Sequence, residues 1–312
     1  MLEKEKLLVI VGPTAVGKTA LSIDLAKEFT GEIISGDSIQ VYRGMDIGSA
    51  KITPQEMKDI PHYLIDTHDP DEPFSVAEFQ SRATQLIRDI NDRRKLPMIV
   101  GGTGLYIQSV IYQYQFSEAG QDPELRKELE NFALEQGNEA LHQRLTEIDP
   151  MTANRLHPND IKRIVRALEI YELTGTTMAE YQKRSKESPY QLCLIGLSMD
   201  RDVLYERINQ RVDLMIEQGL VEEVRTLLDK GYHKGLTSLH AIGYKEMIDY
   251  IEGTLSLEEA VEQLKKNSRN FAKRQLTWFR SMPDLHWFDV TDRRNWSLHV
   301  ENIRSFVAGM LK

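Results

Sequence analysis

The sequence predicts an α/β fold in which a parallel sheet with flanking helices carries a helical insertion. Two observations predict it. Short apolar runs alternate with helical stretches through the first third of the chain, and the segment from about Asp122 to Arg184 then offers no strand candidate.

Leu7-Leu8-Val9-Ile10-Val11 is a continuous apolar strand, followed by Gly12 to Thr19 and a helix through Ala20 to Ala26. Ile33-Ile34-Ser35 is a second strand, ending at Gly36-Asp37. Ser75 and Glu78 have capping-box spacing and open a helix to about Arg94. Leu96-Pro97-Met98-Ile99-Val100 is a third strand, running into Gly101-Gly102-Thr103-Gly104. The helices after Asp122 are broken by Gly137, Asp149-Pro150, His157-Pro158 and Gly175. Gln191 to Leu197 reads as a return strand. Helical stretches follow at Arg201 to about Lys230, at Ala241 to Glu252, and at Leu257 to about Arg280, the last capped by Ser256 and Glu259. Leu285 to Asp289 closes the sheet as an edge strand. Residues 1–116 and 191–312 are therefore expected to form the core, and 117–190 the insertion.

A chain of 312 residues, 41% hydrophobic and 28% charged, can bury a sizeable core. No apolar run approaches the length of a membrane span, and the acid-bearing N-terminus does not read as a signal peptide. Cys193 is the single cysteine, so an internal disulfide and a cysteine zinc cluster are both excluded. A cytoplasmic setting is expected. A net charge of −9 argues against indiscriminate coating of nucleic acid, although a local basic face would suffice to bind it.

Gly12-Pro13-Thr14-Ala15-Val16-Gly17-Lys18-Thr19 has the spacing G-x-x-x-x-G-K-[ST] between a strand and a helix. The glycines let backbone N–H groups curl around phosphate oxygens. Lys18 supplies a point charge, and Thr19 offers a hydroxyl to Mg²⁺ at the positive end of the following helix. The core is thus expected to resemble the phosphate-loop NTPases. The loop implies a diphosphate or longer; it does not by itself imply ATP hydrolysis. Asp37, at the second strand end, can hold Mg²⁺ through water, accept a proton, or merely cap a turn. Thr103, at the third, can donate to a phosphate oxygen from a backbone made approachable by glycines.

The combination of Gly12–Thr19, Asp37-Ser38-Ile39-Gln40-Val41-Tyr42, Met45 to Lys51, Pro61 to Asp66 and Gly101–Tyr106 resembles the tRNA dimethylallyltransferase family. The likeness continues through Arg163 to Glu169, Ala241 to Glu246 and Lys273 to Arg280. Ser49, where threonine is usual, and Val16, where a small residue is usual, are the departures. No zinc-finger extension is present, so the bacterial type is implied.

The resemblance implies transfer of a dimethylallyl group from dimethylallyl diphosphate to N6 of the adenosine 3′ of the anticodon, in tRNAs reading codons that begin with U. It implies a catalytic role for Asp37 as acceptor of the N6 proton, with Lys18, Thr19 and its Mg²⁺, Thr103 and Arg211 stabilising the leaving diphosphate. It also implies tRNA contacts at Asp37, Ser38, Ile39, Gln40, Thr103, Arg126, Lys162, Arg163, Arg166, Tyr244, Lys245, Lys266, Arg269, Lys273, Arg274, Gln275 and Arg280. A monomer is expected.

From Leu264 to Arg280 there is no acid, and Lys266, Arg269, Lys273 and Arg280 share one helix face. Such a cluster is either a solvated face or a phosphate-contacting one. Phe271, Trp278 and Phe279 read as core residues rather than base-stacking ones. Rival readings are a phosphate-loop small-molecule kinase, an isopentenyltransferase acting on free adenylate, and a non-catalytic nucleotide-gated RNA-binding module.

Overall fold

The computed structural model describes residues 4–116, 120, 122–181 and 187–312. Six strands form one sheet: β1 (Lys6–Val11), β2 (Gly31–Ser35), β3 (His62–Tyr63), β4 (Leu96–Gly101), β5 (Gln191–Ser198) and β6 (His286–Asp289). Their order is β3-β2-β4-β1-β5-β6, and every pairing is parallel. β1 lies between β4 and β5 and is buried from Leu7 to Val11, which is why its sequence is an unbroken apolar run. The carboxyl ends of β1, β2 and β4 carry the phosphate loop, Asp37 and Thr103, so the three polar motifs converge on one edge.

Helices α1 (Lys18–Phe29), α2 (Pro54–Met57), α3 (Val76–Asp92) and α4 (Gly104–Ile111) belong to the first part of this unit. Residues 1–111 and 188–312 make one compact unit and 112–187 another. The second contains α5 (Pro123–Gln136), α6 (Asn138–Ile148), α7 (Pro150–Ala153), α8 (Ile161–Thr174) and α9 (Met178–Tyr181). Its own core joins Leu129, Leu141, Leu145, Ile164 and Leu168. The boundary expected at Ser117 lies outside the described residues.

The first unit continues with α10 (Arg201–Glu217), α11 (Leu220–Asp229), α12 (Tyr244–Ile251), α13 (Leu257–Arg280) and α14 (Trp296–Met310). Several expectations are corrected here. Residues 201–230 are two helices, because the chain turns at Gly219 with φ 97°. The stretch expected from Ala241 starts at Tyr244, three residues late, since Ser238–His240 is a 3₁₀ turn and Ala241 is extended. Ser75 caps α3, but the reciprocal arm is missing: the Glu78 carboxylate turns to Arg82 and His68. The two-residue strand β3 and the helix α14 carry too little pattern to be read from sequence. By contrast, Ser256 and Glu259 form a complete capping box, and α13 buries Ala260, Leu264, Ala272, Gln275 and Phe279 along one stripe. Cys193 is buried in β5, and burial pushes its thiol up to about 12.

The β2 and β4 ends approach each other unusually closely. A Cβ on Gly101 would lie 2.3 Å from the Gly36 carbonyl oxygen, and neither backbone can yield. Gly101→Ala is expected to destabilise the fold by about 1–3 kcal/mol or more, the range for overpacking. Urea unfolding measures it; a midpoint equal to wild type would show that the two strand ends part easily.

Candidate active site

The loop between β1 and α1 is held from three sides. Gly17 takes φ 112° immediately before α1, a conformation that only glycine adopts without strain. The Lys18 ammonium donates to the carbonyls of Gly12 (2.9 Å) and Pro13 (2.8 Å). From α13, Gln275 accepts the Thr14 N–H at 2.9 Å and donates to the Gly102 carbonyl at 3.0 Å, tying the loop to the end of β4. From α10, Arg207 Nε donates to the Ala15 carbonyl at 3.0 Å.

Asp37 follows β2. Its Oδ1 accepts the N–H groups of Ile39 (2.8 Å) and Gln40 (3.3 Å), so the carboxylate does cap its own turn. The turn uses Oδ1 alone, and Asp37 lines the adjoining cavity. Gln40 accepts from the Ser35 hydroxyl at 3.0 Å and reaches the carbonyls of Ser49 and Ala50. Thr103 donates its N–H to the Gly36 carbonyl at 3.2 Å, and its hydroxyl lies 3.5 Å from that of Ser38.

Two adjoining cavities meet at Asp37. The polar one is lined by Thr14, Lys18, Thr19, Ser35, Gln40 and Gln275. The other, about 340 Å³, is lined by Ser38, Thr103 and the apolar side chains of Ile208, Val212, Met215, Ile242 and Leu264. Arg211 and Phe271 border both. Arg211 therefore stands at the site and is not a solvated helix arginine. Burial and its neighbour Arg211 push the Lys18 ammonium down to about 7, against the pull of Asp37. Burial likewise lowers Arg211, with Asp37 opposing. The pocket is thus short of negative charge and receptive to an anion.

The wall formed by Ser49 and Ala50 is shaped from behind. Glu223 accepts the backbone N–H groups of Asp46 (2.9 Å), Ile47 (2.7 Å) and Gly48 (3.1 Å), and the Tyr244 phenol at 2.8 Å. Neither Glu223 nor Arg207 is marked by any sequence pattern, except that Arg207 precedes Arg211 by one helical turn.

Residues 40–282 match the family model described as IPP transferase. The chain belongs to this family. It is 55% identical to the tRNA dimethylallyltransferase of Geobacillus thermodenitrificans over 309 residues, 99% of this chain and 98% of that one. Against the tRNA dimethylallyltransferase of Bacillus cereus (strain B4264) the identity is 58%, over 93% of this chain and 92% of the relative. Two solved structures share the fold. The tRNA isopentenylpyrophosphate transferase of Bacillus halodurans is 54% identical with a TM-score of 0.76, covering 99% of this chain and 97% of that one. A eukaryotic dimethylallyltransferase acting on tRNA is 30% identical with a TM-score of 0.83, covering 96% of this chain and 77% of that one.

The other residues expected from the family resemblance are distributed unevenly. Lys266, Lys273, Arg274 and Arg280 are exposed on α13. Arg269 is partly covered and donates to Asn209, while Lys265 is paired with Asp213 and Glu262. Gln275 is buried, holding the loop while lining the polar cavity, and Tyr244 is fully buried against Glu223, so neither lies on the outer surface. Lys245 lies against Glu246. In the helical unit, Lys162 and Arg163 are exposed, whereas Arg126 and Arg166 both bind the buried Glu169 carboxylate. Phe279 is core, as its spacing implies, but Trp278 is 37% exposed and Phe271 lines the cavities.

Lys18 links stability to pH. Its folded value, about 7, lies below the unfolded one near 10, so the unfolded chain holds the extra proton between them. Stability contributed through Lys18 should rise as pH increases from about 7 towards about 10. Thermal melts of wild type and Lys18→Met check this: the variant's advantage at neutral pH should shrink on raising the pH. A constant difference would mean that Lys18 is not depressed.

Proposed function

We propose that this protein is a tRNA dimethylallyltransferase. The observation that carries the reading is the placement of the Asp37 carboxylate at the junction of two cavities, one polar at the phosphate loop and one with an apolar wall. The diphosphate of the donor sits on the loop, and its five-carbon chain extends along the apolar wall. The acceptor is N6 of the adenosine 3′ of the anticodon, in tRNAs reading codons that begin with U. That nucleotide must leave its stack to reach Asp37, at a cost of a few kcal/mol.

An aromatic amine is a weak nucleophile, because its lone pair is delocalised into the ring. As N6 forms its bond to C1 of the dimethylallyl group, the C1–O bond breaks, diphosphate departs with the electron pair, and the N6 proton passes to Asp37 Oδ2. The turn that occupies Oδ1 holds the carboxylate in place and leaves Oδ2 without a bond in that turn. Lys18, Arg211, Thr103 and the loop N–H groups meet the charge gathering on the diphosphate. Ser38, Ile39 and Gln40 border the acceptor's place beside Asp37.

The hard oxygen donors of Thr19, Ser35 and Asp37 around the polar cavity suit Mg²⁺. Among the described residues no three His, Cys, Asp or Glu side chains are grouped to hold a metal. Thr19 would hold the ion, with Asp37 reaching it through water. Mg²⁺ would supply positive charge to the leaving group.

Binding of the tRNA backbone falls to Lys266, Lys273, Arg274 and Arg280 on α13, and to Lys162 and Arg163 in the helical unit, because these basic groups are exposed. A cytoplasmic monomer is in keeping with this role. No helix among the described residues is long and apolar enough to cross a membrane.

The reaction is tested by offering labelled dimethylallyl diphosphate or ATP with tRNA, adenosine monophosphate or no acceptor. Label passing from the prenyl donor to tRNA alone is expected. Transfer to the free nucleotide, or from ATP, would replace this reading by one of its rivals. Asp37→Ala is expected to lower kcat by about two to four decades, the range for a positioned acid–base group, with tRNA affinity little changed. An unchanged kcat removes Asp37 from the chemistry.

Charge reversal of Lys266 and Lys273 should weaken all tRNAs alike. It should also flatten the salt dependence, by roughly one slope unit for each phosphate that is no longer neutralised. Turnover at saturating tRNA should survive. Binding titrations at several salt concentrations decide the matter, and parallel salt slopes would make these lysines a merely solvated face.

A further inference from the structure

Arg293 opens the 3₁₀ turn Arg293–Asn295 ahead of α14, beyond residue 282 where the family match ends. Its guanidinium lies over the Trp296 ring, 3.9 Å from the centroid. A Cβ on Gly17 would come within 2.7 Å of Arg293 Nη1, so the guanidinium is pressed against the phosphate loop. Nη1 is buried without a hydrogen-bond partner, the sole such side-chain atom among the described residues. A donor in that state costs free energy unless something accepts from it.

No carboxylate among the described residues pairs with this guanidinium. Asp292 is taken by Arg294 and Asn295, and Asp24 accepts the Trp296 indole N–H at 3.4 Å. The charged neighbour is Arg207, whose Nε is spent on Ala15; burial, with Arg207 adding to it, pushes Arg293 down. Neither arginine has an ion pair among the described residues. Both line a cleft of about 830 Å³ together with Gly17, Lys18, Thr19 and Arg211. The last three also line the polar cavity, so the cleft and the cavity share the face of the loop. Asp24, Asp46 and Glu56 also line this cleft, but Asp24 accepts from Trp296, Asp46 pairs with Lys51 and Glu56 caps Thr53, so none answers the buried Arg293 Nη1, a donor whose chemistry suits a phosphate oxygen.

We propose that Arg293, held over Trp296 and backed by Arg207, is a further binding residue for the diphosphate of the donor and product. The inference rests on the loop being a diphosphate cradle and adds a ligand from the C-terminal segment. The ligand chemistry, a diphosphate, occurs both in the prenyl donor and in nucleotides, so the test offers each.

Full-length wild type, Arg293→Ala and Arg293→Lys are titrated calorimetrically with inorganic diphosphate and with ADP, in excess Mg²⁺, and assayed for prenyl transfer. Arg293→Ala is expected to raise the Kd for inorganic diphosphate, and the KM for dimethylallyl diphosphate, by about 10- to 100-fold, the loss typical of a charge-assisted hydrogen bond. kcat at saturating donor and the affinity for tRNA should stay as in wild type, which a merely structural role would not ensure. Arg293→Lys keeps the charge but not the planar fork and should lose less.

An unchanged Kd in a folded Arg293→Ala protein overturns the proposal. So does a loss confined to ADP, which would place the arginine on a nucleoside. If Arg293→Ala fails to fold by circular dichroism, Arg293→Lys decides: weakened diphosphate binding supports the contact, and unchanged binding overturns it. Wild type that binds diphosphate but transfers no prenyl group would sink the proposed function while leaving this contact standing.

Discussion

The buried amide of Gln275 is the interaction on which the site's geometry depends. Its oxygen accepts from Thr14 in the phosphate loop, and its nitrogen donates to Gly102 at the end of β4. One side chain of α13 thereby fixes the distance between two strand ends and the helix that closes over them. A loop rich in glycine has little conformational preference of its own. Its cradle shape persists because Gln275, Arg207 and the Lys18 ammonium occupy its carbonyls and one of its N–H groups, leaving the remaining N–H groups for a ligand.

The same helix faces two ways. Its buried stripe borders the two cavities, and its sequence carries no acid from Leu264 to Arg280, where its exposed basic side chains lie. A single element therefore couples the anion pocket to the surface assigned to tRNA. Glu223 plays the matching part on the opposite wall, where one carboxylate satisfies three consecutive backbone N–H groups and a buried phenol. Tyr244, which belongs to a family-like block, is packed there and makes that hydrogen bond.

The electrostatics follow from this arrangement. Lys18, Arg207, Arg211 and Arg293 gather around the loop; Asp37 is the acid that lines both cavities meeting there, and Asp24, Asp46 and Glu56 line the outer cleft, where they bond other partners. In the unliganded protein this excess of cations is held in place by packing and carbonyl contacts. The polyanionic donor proposed for the site would relieve that repulsion.

The sequence by itself determined the parallel α/β class, the phosphate loop, Asp37 and Thr103. Local rules specify all of these: unbroken apolar runs for buried strands, fixed glycine spacing for a cradle, and polar residues at strand ends. It also determined the full length of α13, because capping box and apolar stripe agree there. Tertiary structure alone decided which basic residues face solvent. Charge spacing on a helix is the same whether an arginine stays at the surface, as Arg163 does beside the exposed Asp160, or meets a buried carboxylate, as Arg126 and Arg166 do at Glu169. It decided the role of Gln275, whose polar side chain sits amid a basic run yet points inward. It also decided the place of Arg293, some 276 residues from Gly17 in sequence and against it in space. Contacts between distant segments leave no periodicity for a sequence to display; they exist only once the sheet order has brought those segments together.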